Sequence, residues 1–167
     1  MDRFAITSAP LATEALMSLV SEAHAAQAET SHAEGPGAVL VFVGLVHNRH
    51  AGRQVEYLTY EAYEPLAVRS FARIADEVAG RMPDAVVGIH HRVGRLEIGE
   101  ASVVIAAASA HRAEAYAACR YAIERIKQIA PVWKHERFAG GASWVEGATA
   151  QPDDEAPRDE AWRRACL

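Results

Sequence analysis

Lysine is scarce in this chain, which carries its positive charge almost wholly on arginine. Cysteine is scarce too. Cys119 and Cys166 are the whole complement, too few for a disulfide scaffold and without metal-ligand spacing, so a reducing cytoplasm is the expected setting. No apolar run approaches the ~20 residues that span a bilayer. Met1-Asp2-Arg3-Phe4 lacks the basic-then-apolar layout of a secretory leader. The expectation is a cytoplasmic protein with no membrane contact. An excess of positive charge is also missing. The net charge of −5 argues against general nucleic-acid binding, while leaving room for a small basic pocket.

What is present fits one folded domain of 167 residues, half of them hydrophobic. Phe4 to Thr7 reads as a short strand. Ala12 to Ala28 reads as a helix, with Leu16, Leu19, Val20 and Ala23 at helical spacing and Thr13 as its cap. Gly37 to Val46 is a continuous β-branched run, the pattern of a strand buried on both faces. A polar loop from His47 to Arg53 follows, then a half-buried strand from Val55 to Tyr63. Pro65 suits the first turn of a helix running to about Arg81, with Leu66, Val68, Phe71, Ile74 and Val78 among its apolar positions. Val86–Val93 and Ala101–Ala108 read as strands around a turn at Gly99. Ser109 is a candidate cap for a helix from about Ala110 to Ile129, which Pro131 stops. Val132–Phe138 and Ser143–Glu146 read as a hairpin around Gly140-Gly141. Residues 1–147 are expected to form a single catalytic domain. The acidic stretch 148–167 is expected to be a polar tail, mobile or partner-binding.

Three places could carry chemistry. At Ser109-Ala110-His111-Arg112 a strand hands over to a helix, and the helix dipole favours an anion at that end. His111 and Arg112 there suit a phosphate or carboxylate, although a surface ion pair explains Arg112 equally. Lys127 lies at the edge of a stripe made by Tyr116, Cys119, Ile123 and Ile126, about 100° from Ile126. An edge lysine can bury its stem and partly desolvate its amine, which lowers its pKa and makes it a nucleophile or proton carrier. Arginine cannot do this. The bland alternative is a lysine that offsets the dipole of the last turn. Pro131 then brings Lys134, His135 and Glu136 back toward the helix end. The third place is the loop His47-Asn48-Arg49-His50. His90 and His91, adjacent on a strand, point to opposite faces and cannot chelate together; one is expected in the core and one exposed. Trp133, Trp144 and Trp162 are expected as packing anchors.

Several segments together resemble the large, catalytic subunit of molybdopterin synthase, the MoaE family. They are Gly37-Ala-Val-Leu-Val-Phe-Val-Gly, Tyr60-Glu-Ala-Tyr, the run His90-His-Arg-Val-Gly-Arg-Leu-Glu-Ile-Gly-Glu, Ser109-Ala-His-Arg, Ile126-Lys-Gln-Ile-Ala-Pro-Val-Trp-Lys-His-Glu and Trp144-Val-Glu. The resemblance implies an α+β fold, an α/β hammerhead-type sandwich with a mixed or antiparallel sheet, packed helices and a small added β subdomain. It implies a sulfurtransferase. A small ubiquitin-like sulfur-carrier subunit (MoaD type) inserts its thiocarboxylated Gly-Gly tail. Sulfur passes to cyclic pyranopterin monophosphate, forming the molybdopterin dithiolene. It implies a homodimer within a heterotetramer, and no metal or cofactor held by this chain.

By the same resemblance Lys127 is the essential lysine and Lys134 the second. Substrate binding falls to Leu45, Val46, His47, Arg49, His111, Arg112, Lys127, Lys134, His135 and Glu136. The chain departs from the pattern at His47, where the family usually has arginine; Arg49 or a protonated His47 could supply the missing charge. A non-catalytic homologue that binds a Gly-Gly tail, or a phosphate-ligand-binding domain, stands as the alternative. Arg112 and Lys127 lie 15 positions apart on one helix, or about 22 Å. One helix cannot bring both ends to one small substrate. A composite site is therefore expected, with His111 and Arg112 of one protomer facing the lysines of the other.

Overall fold

A computed structural model describes residues 2–145 and 147–166. Met1, Leu167 and Glu146, the last residue of the expected hairpin, lie outside the described residues. The elements in chain order are β1 (Phe4–Thr7), α1 (Thr13–Ser31), β2 (Ala38–Leu45), β3 (Arg49–His50), β4 (Arg53–Ala62), α2 (Glu64–Arg81), β5 (Val86–Arg92), β6 (Gly94–Glu97), β7 (Ala101–Ser109), α3 (Arg112–Ile129), β8 (Val132–Phe138), β9 (Gly141–Val145) and α4 (Glu155–Ala165).

Two sheets result. The first has the order β1-β5-β7-β2, with β1 parallel to β5 and the other pairs antiparallel. Its central strands are buried on both faces. Val87, Ile89, Val103, Ile105 and Ala107 pack under α2 and α3. Val86, Val104, Ala106 and Ala108 pack under α1 through Leu16 and Val20. Gly88 is required beneath α1, because a Cβ there would stand 2.7 Å from Val20 and 2.8 Å from Leu16. The second sheet runs β3-β4-β8-β9, with β6 also pairing with β4. It closes over its own small core of Val46, Val55, Leu58, Leu96 and Phe138. This is the α+β architecture with the added β subdomain.

Several local expectations are corrected. The strand from Gly37 is not buried on both faces, because β2 is an edge strand; Phe42, Val43 and Leu45 are exposed. Thr13 begins α1 rather than capping it, and His111 rather than Ser109 occupies the cap position of α3. Ser109 ends β7 fully buried. Its hydroxyl lies 2.7 Å from Glu114 Oε2 and 3.0 Å from Asp84 Oδ2, while Ala110 N–H donates to Asp84. On α2 the buried stripe is Ala67, Ser70, Phe71, Ile74 and Val78, which leaves Leu66 exposed. On α3 Tyr116 is exposed and Tyr121, Ala122 and Arg125 face inward. Both His90 and His91 are buried, because β5 is covered on both sides. The turn expected around Gly99 is present, with Gly99 at φ 87°, and the short strand β6 (Gly94–Glu97) precedes it where none was expected.

The expected polar tail contains α4, laid against α3. Trp162 stacks on Tyr121 with ring centroids 3.8 Å apart, and Gln128 Nε2 donates to the Pro157 carbonyl. The charges of the segment, Glu160, Arg163 and Arg164, lie on the solvent side and pair with one another, which is why composition alone suggested a free tail. Among the described residues, no helix is long and apolar enough to cross a membrane.

Candidate functional site

Lys127 and Lys134 are the only lysines among the 17 lysines and arginines of the chain, and both line one cavity of about 500 Å³ between the two sheets and the end of α3. The local folding is simple. Lys127 sits in the last turn of α3, Ala130 leaves the helix in extended geometry and Pro131 prevents its return. The strand β8 then runs antiparallel to β4, pairing Lys134 with Tyr60 and Glu136 with Leu58. Side chains alternate across a strand, so Lys134 and Glu136 share the cavity face with Tyr60 and Leu58. Leu45 and His47, at the end of β2, close the opposite rim.

Lys127 is exposed at the cavity's edge, one position beyond the buried Ile126, rather than half-buried as expected; it has no ion-pair partner among the described residues. Lys134 is engaged, its Nζ 2.7 Å from Glu136 Oε1. His50 Nδ1 lies 2.6 Å from Glu136 Oε2. Burial would push the Glu136 carboxyl up, but hydrogen bonds and charge from Lys134 and His50 more than offset it and hold Glu136 below the usual carboxylate range. Burial also raises the Tyr60 hydroxyl. Gly147 and Thr149 complete the wall, and Thr149 and Ala150 both donate backbone N–H groups to the Gln128 carbonyl, next to Lys127.

His111 and Arg112 lie elsewhere. They line a separate concavity of about 400 Å³ with Gly37, Ala110 and Ala113, at the other end of α3. Both are exposed, and Arg112 has no hydrogen-bond or ion-pair partner among the described residues. The structure thus brings together Leu45, His47, Lys127, Lys134 and Glu136, but not His111 or Arg112.

Three other expected residues fall outside the cavity. Val46 is core, its N–H and carbonyl bonded to Glu100 and Gly99. Arg49 is exposed on β3. His135 points to the opposite face of β8 and packs on Trp144, centroids 4.7 Å apart. Sequence reading missed Tyr60, His91 and Ser102 as cavity residues, and missed His50 as the partner of Glu136. Tyr60 was reachable from its alternation with Leu58. The His50–Glu136 contact joins residues 86 apart and leaves no local signal. Among the described residues no group of three or more His, Cys, Asp or Glu is placed to hold a metal.

Comparison with known proteins supplies the frame for this geometry. Residues 6–129 match the family model described as MoaE protein. The chain is 45% identical over 153 residues to a molybdopterin synthase catalytic subunit of Nostoc, covering 90% of this chain and 86% of that one. It is 43% identical over 145 residues to the Bacillus subtilis molybdopterin synthase catalytic subunit, covering 87% and 85%. The crystal structure of molybdopterin synthase from Staphylococcus aureus superposes with a TM-score of 0.78 at 39% identity, covering 87% of this chain and 98% of that one.

Proposed function

Since this chain belongs to the MoaE family, we infer that it works as the catalytic subunit of a molybdopterin synthase, a sulfurtransferase of molybdenum-cofactor biosynthesis. The sulfur arrives as a thiocarboxylate on the Gly-Gly tail of a small ubiquitin-like subunit, and the acceptor is cyclic pyranopterin monophosphate. The observation that carries this reading is the convergence of the chain's only two lysines on one cavity, with Lys134 tied to Glu136 and Lys127 untied.

An untied amine at the cavity edge can meet the incoming thiocarboxylate either as a covalent acyl acceptor or as a proton carrier. Lys134, oriented by Glu136 and His50, holds substrate charge. His47, on the rim, stands where the family usually has arginine. Arg49 does not line the cavity, so the compensation falls to His47 itself. Residues 1–147 form the catalytic unit, and 148–167 serve it by closing the wall through Thr149 and bracing α3 through α4. The test is turnover: the purified chain, mixed with a thiocarboxylated carrier subunit and the pterin precursor, should yield molybdopterin. Binding of the tail without product would favour the non-catalytic alternative.

The separation of the two cationic regions supports a shared site. His111 and Arg112 occupy the N-terminal end of α3 and Lys127 its last turn. The exposed apolar side chains Phe42 and Val43 of edge strand β2, with Tyr116 of α3, offer a surface for a second copy. In that homodimer the N-terminus of one α3 supplies the anion site facing the other protomer's lysines. Arg112→Ala and Lys127→Ala are each expected to be inactive alone. After verified subunit exchange they should regain activity, because one mixed site is intact; no recovery would refute the shared site.

The sulfur is not the chain's own. Cys119 is buried, and burial pushes its thiol up to about 12, so it holds no thiolate near neutrality. Cys166 lies beyond α4 and does not line the cavity. Replacing both with alanine should leave turnover intact in the same assay; complete loss with the fold preserved would contradict this.

A further inference from the structure

Among the cavity residues without a part in the sulfur transfer is a buried histidine, His91. His91 lies on β5, on the same face as Val87 and Ile89, one step beyond the last apolar layer under α3. An aliphatic side chain would complete that face. The chain instead places an imidazole there, 94% out of contact with solvent and with its ring edge-on to Tyr60, centroids 5.1 Å apart.

Its tautomer follows from one contact. Nδ1 lies 2.8 Å from the Arg92 carbonyl oxygen. A carbonyl only accepts, so Nδ1 carries the hydrogen and Nε2 is left with its lone pair. Nε2 has no hydrogen-bond partner among the described residues, yet it is not one of their sealed, unsatisfied atoms; those are His24 Nδ1 and Nε2 and Arg92 Nε. Burial lowers the imidazole to about 4, partly opposed by the Arg92 carbonyl, so the ring is neutral at physiological pH.

The neighbours make this lone pair unusual. The charged groups on the cavity wall are donors or spoken for: Lys127 and Lys134 donate, and Glu136 is taken by Lys134 and His50. The Ser102 hydroxyl donates to the Gly44 carbonyl at 3.1 Å. Such a wall suits the anionic parts of a substrate. A fused heterocycle also brings ring N–H donors, and a donor left unpaired in a closed site is costly. A neutral nitrogen acceptor suits those donors, and of the two imidazoles on the wall His91 is the buried one, while His47 is exposed at the rim.

We propose that His91 is a substrate-binding residue of this cavity, its Nε2 accepting a hydrogen bond from a ring N–H of the heterocyclic substrate. This rests on the reading of the cavity as the pterin site. A role as general base is disfavoured, because a base so weak gains little from taking a proton near neutrality. The residue therefore acts on recognition and leaves the chemical step alone.

Two measurements test it. The first uses the wild-type chain labelled with ¹⁵N-histidine, with the His91 signals assigned by their loss in His91→Gln. The Nδ1–H tautomer is expected, with the Nε2 resonance moving toward the hydrogen-bonded range on addition of cyclic pyranopterin monophosphate. An Nε2–H tautomer, or no movement at saturating pterin, overturns the proposal. The second compares His91→Phe and His91→Gln in the complete complex with its thiocarboxylated partner, after confirming equal melting temperatures. His91→Phe should raise the KM for the pterin by about tenfold while kcat stays within about twofold, and His91→Gln, which returns an acceptor near Nε2, should recover most of the loss. A fall in kcat at unchanged KM, or no change in either, overturns the proposal while the functional reading stands. If the wild-type chain neither binds nor converts the pterin, the functional reading fails, and the proposal fails with it.

Discussion

Lys127→Arg should lower turnover by about 10²–10⁴-fold, the range associated with loss of a positioned proton carrier, without changing the melting temperature. The stability half of this expectation comes from the contacts. Lys127 is exposed and makes no ion pair among the described residues, so little folding energy depends on it. The activity half comes from chemistry. Arginine keeps the positive charge at the end of α3 but stays protonated, so it neither accepts an acyl group nor exchanges a proton near neutrality. Lys134→Arg is the informative contrast. A guanidinium can still pair with Glu136, 2.7 Å from the present amine, so a charge-holding residue should lose far less. The same assay with the thiocarboxylated partner measures both. If Lys127→Arg retained more than a tenth of wild-type turnover, Lys127 would be only a charge, and the acyl- or proton-transfer role would have to pass to Lys134, the chain's other lysine.

Arg125→Ala should cost about 3–5 kcal/mol of stability, the range for removing one partner of a buried ion pair, or roughly 10 °C in Tm for a chain of this size. Arg125 is fully buried on α3. Its Nε and one terminal nitrogen donate to Glu77 of α2 at 2.9 and 3.0 Å, and it also donates to the Pro152 carbonyl at 2.8 Å and to Gln128 Oε1 at 3.1 Å. Tyr121 donates to the same Glu77 at 2.6 Å. Without Arg125, Glu77 stays mostly out of water with its buried counter-charge gone and only the partly exposed Arg73 left to pair with it. The pH dependence has a definite sign. Burial would raise the Glu77 carboxyl, but Arg125, Tyr121 and Arg73 outweigh it, so its folded pKa lies below the unfolded value. That stabilisation is fully present above the unfolded carboxylate range and is lost as pH falls through the folded pKa. Acid titration of Tm should therefore be steeper in wild type than in Arg125→Ala. Identical acid slopes would show that the pair is not coupled to folding.

The sequence pattern was legible where it depended on local period and punctuation. The hairpin from Val132 to Val145 and the stop at Pro131 follow from alternation and from proline chemistry, and they place Lys134 and Glu136 on one face. It misled where long-range pairing decided burial. The β2 run looks like a central strand, but its neighbours leave it at an edge. Gln151 to Leu167 looks like a solvated tail because its two buried anchors, Ala161 and Trp162, are sparse among charges. The His50–Glu136 pair and the His91 tautomer depend on three-dimensional contacts across strands, which no spacing rule encodes.

The alternation of β8 also limits how this site can be varied by insertion or deletion. Adding or removing one residue between Pro131 and Lys134 would slide the strand by one register position against β4. Trp133 and His135 would then face the cavity, and Lys134 and Glu136 would face Trp144 and solvent. A two-residue change restores the facing but moves the amine about 7 Å along the strand. Length variation in this protein is therefore tolerable in turns such as Ala139-Gly140, and not between the helix stop and the second lysine, where the reading frame of the strand is part of the active site.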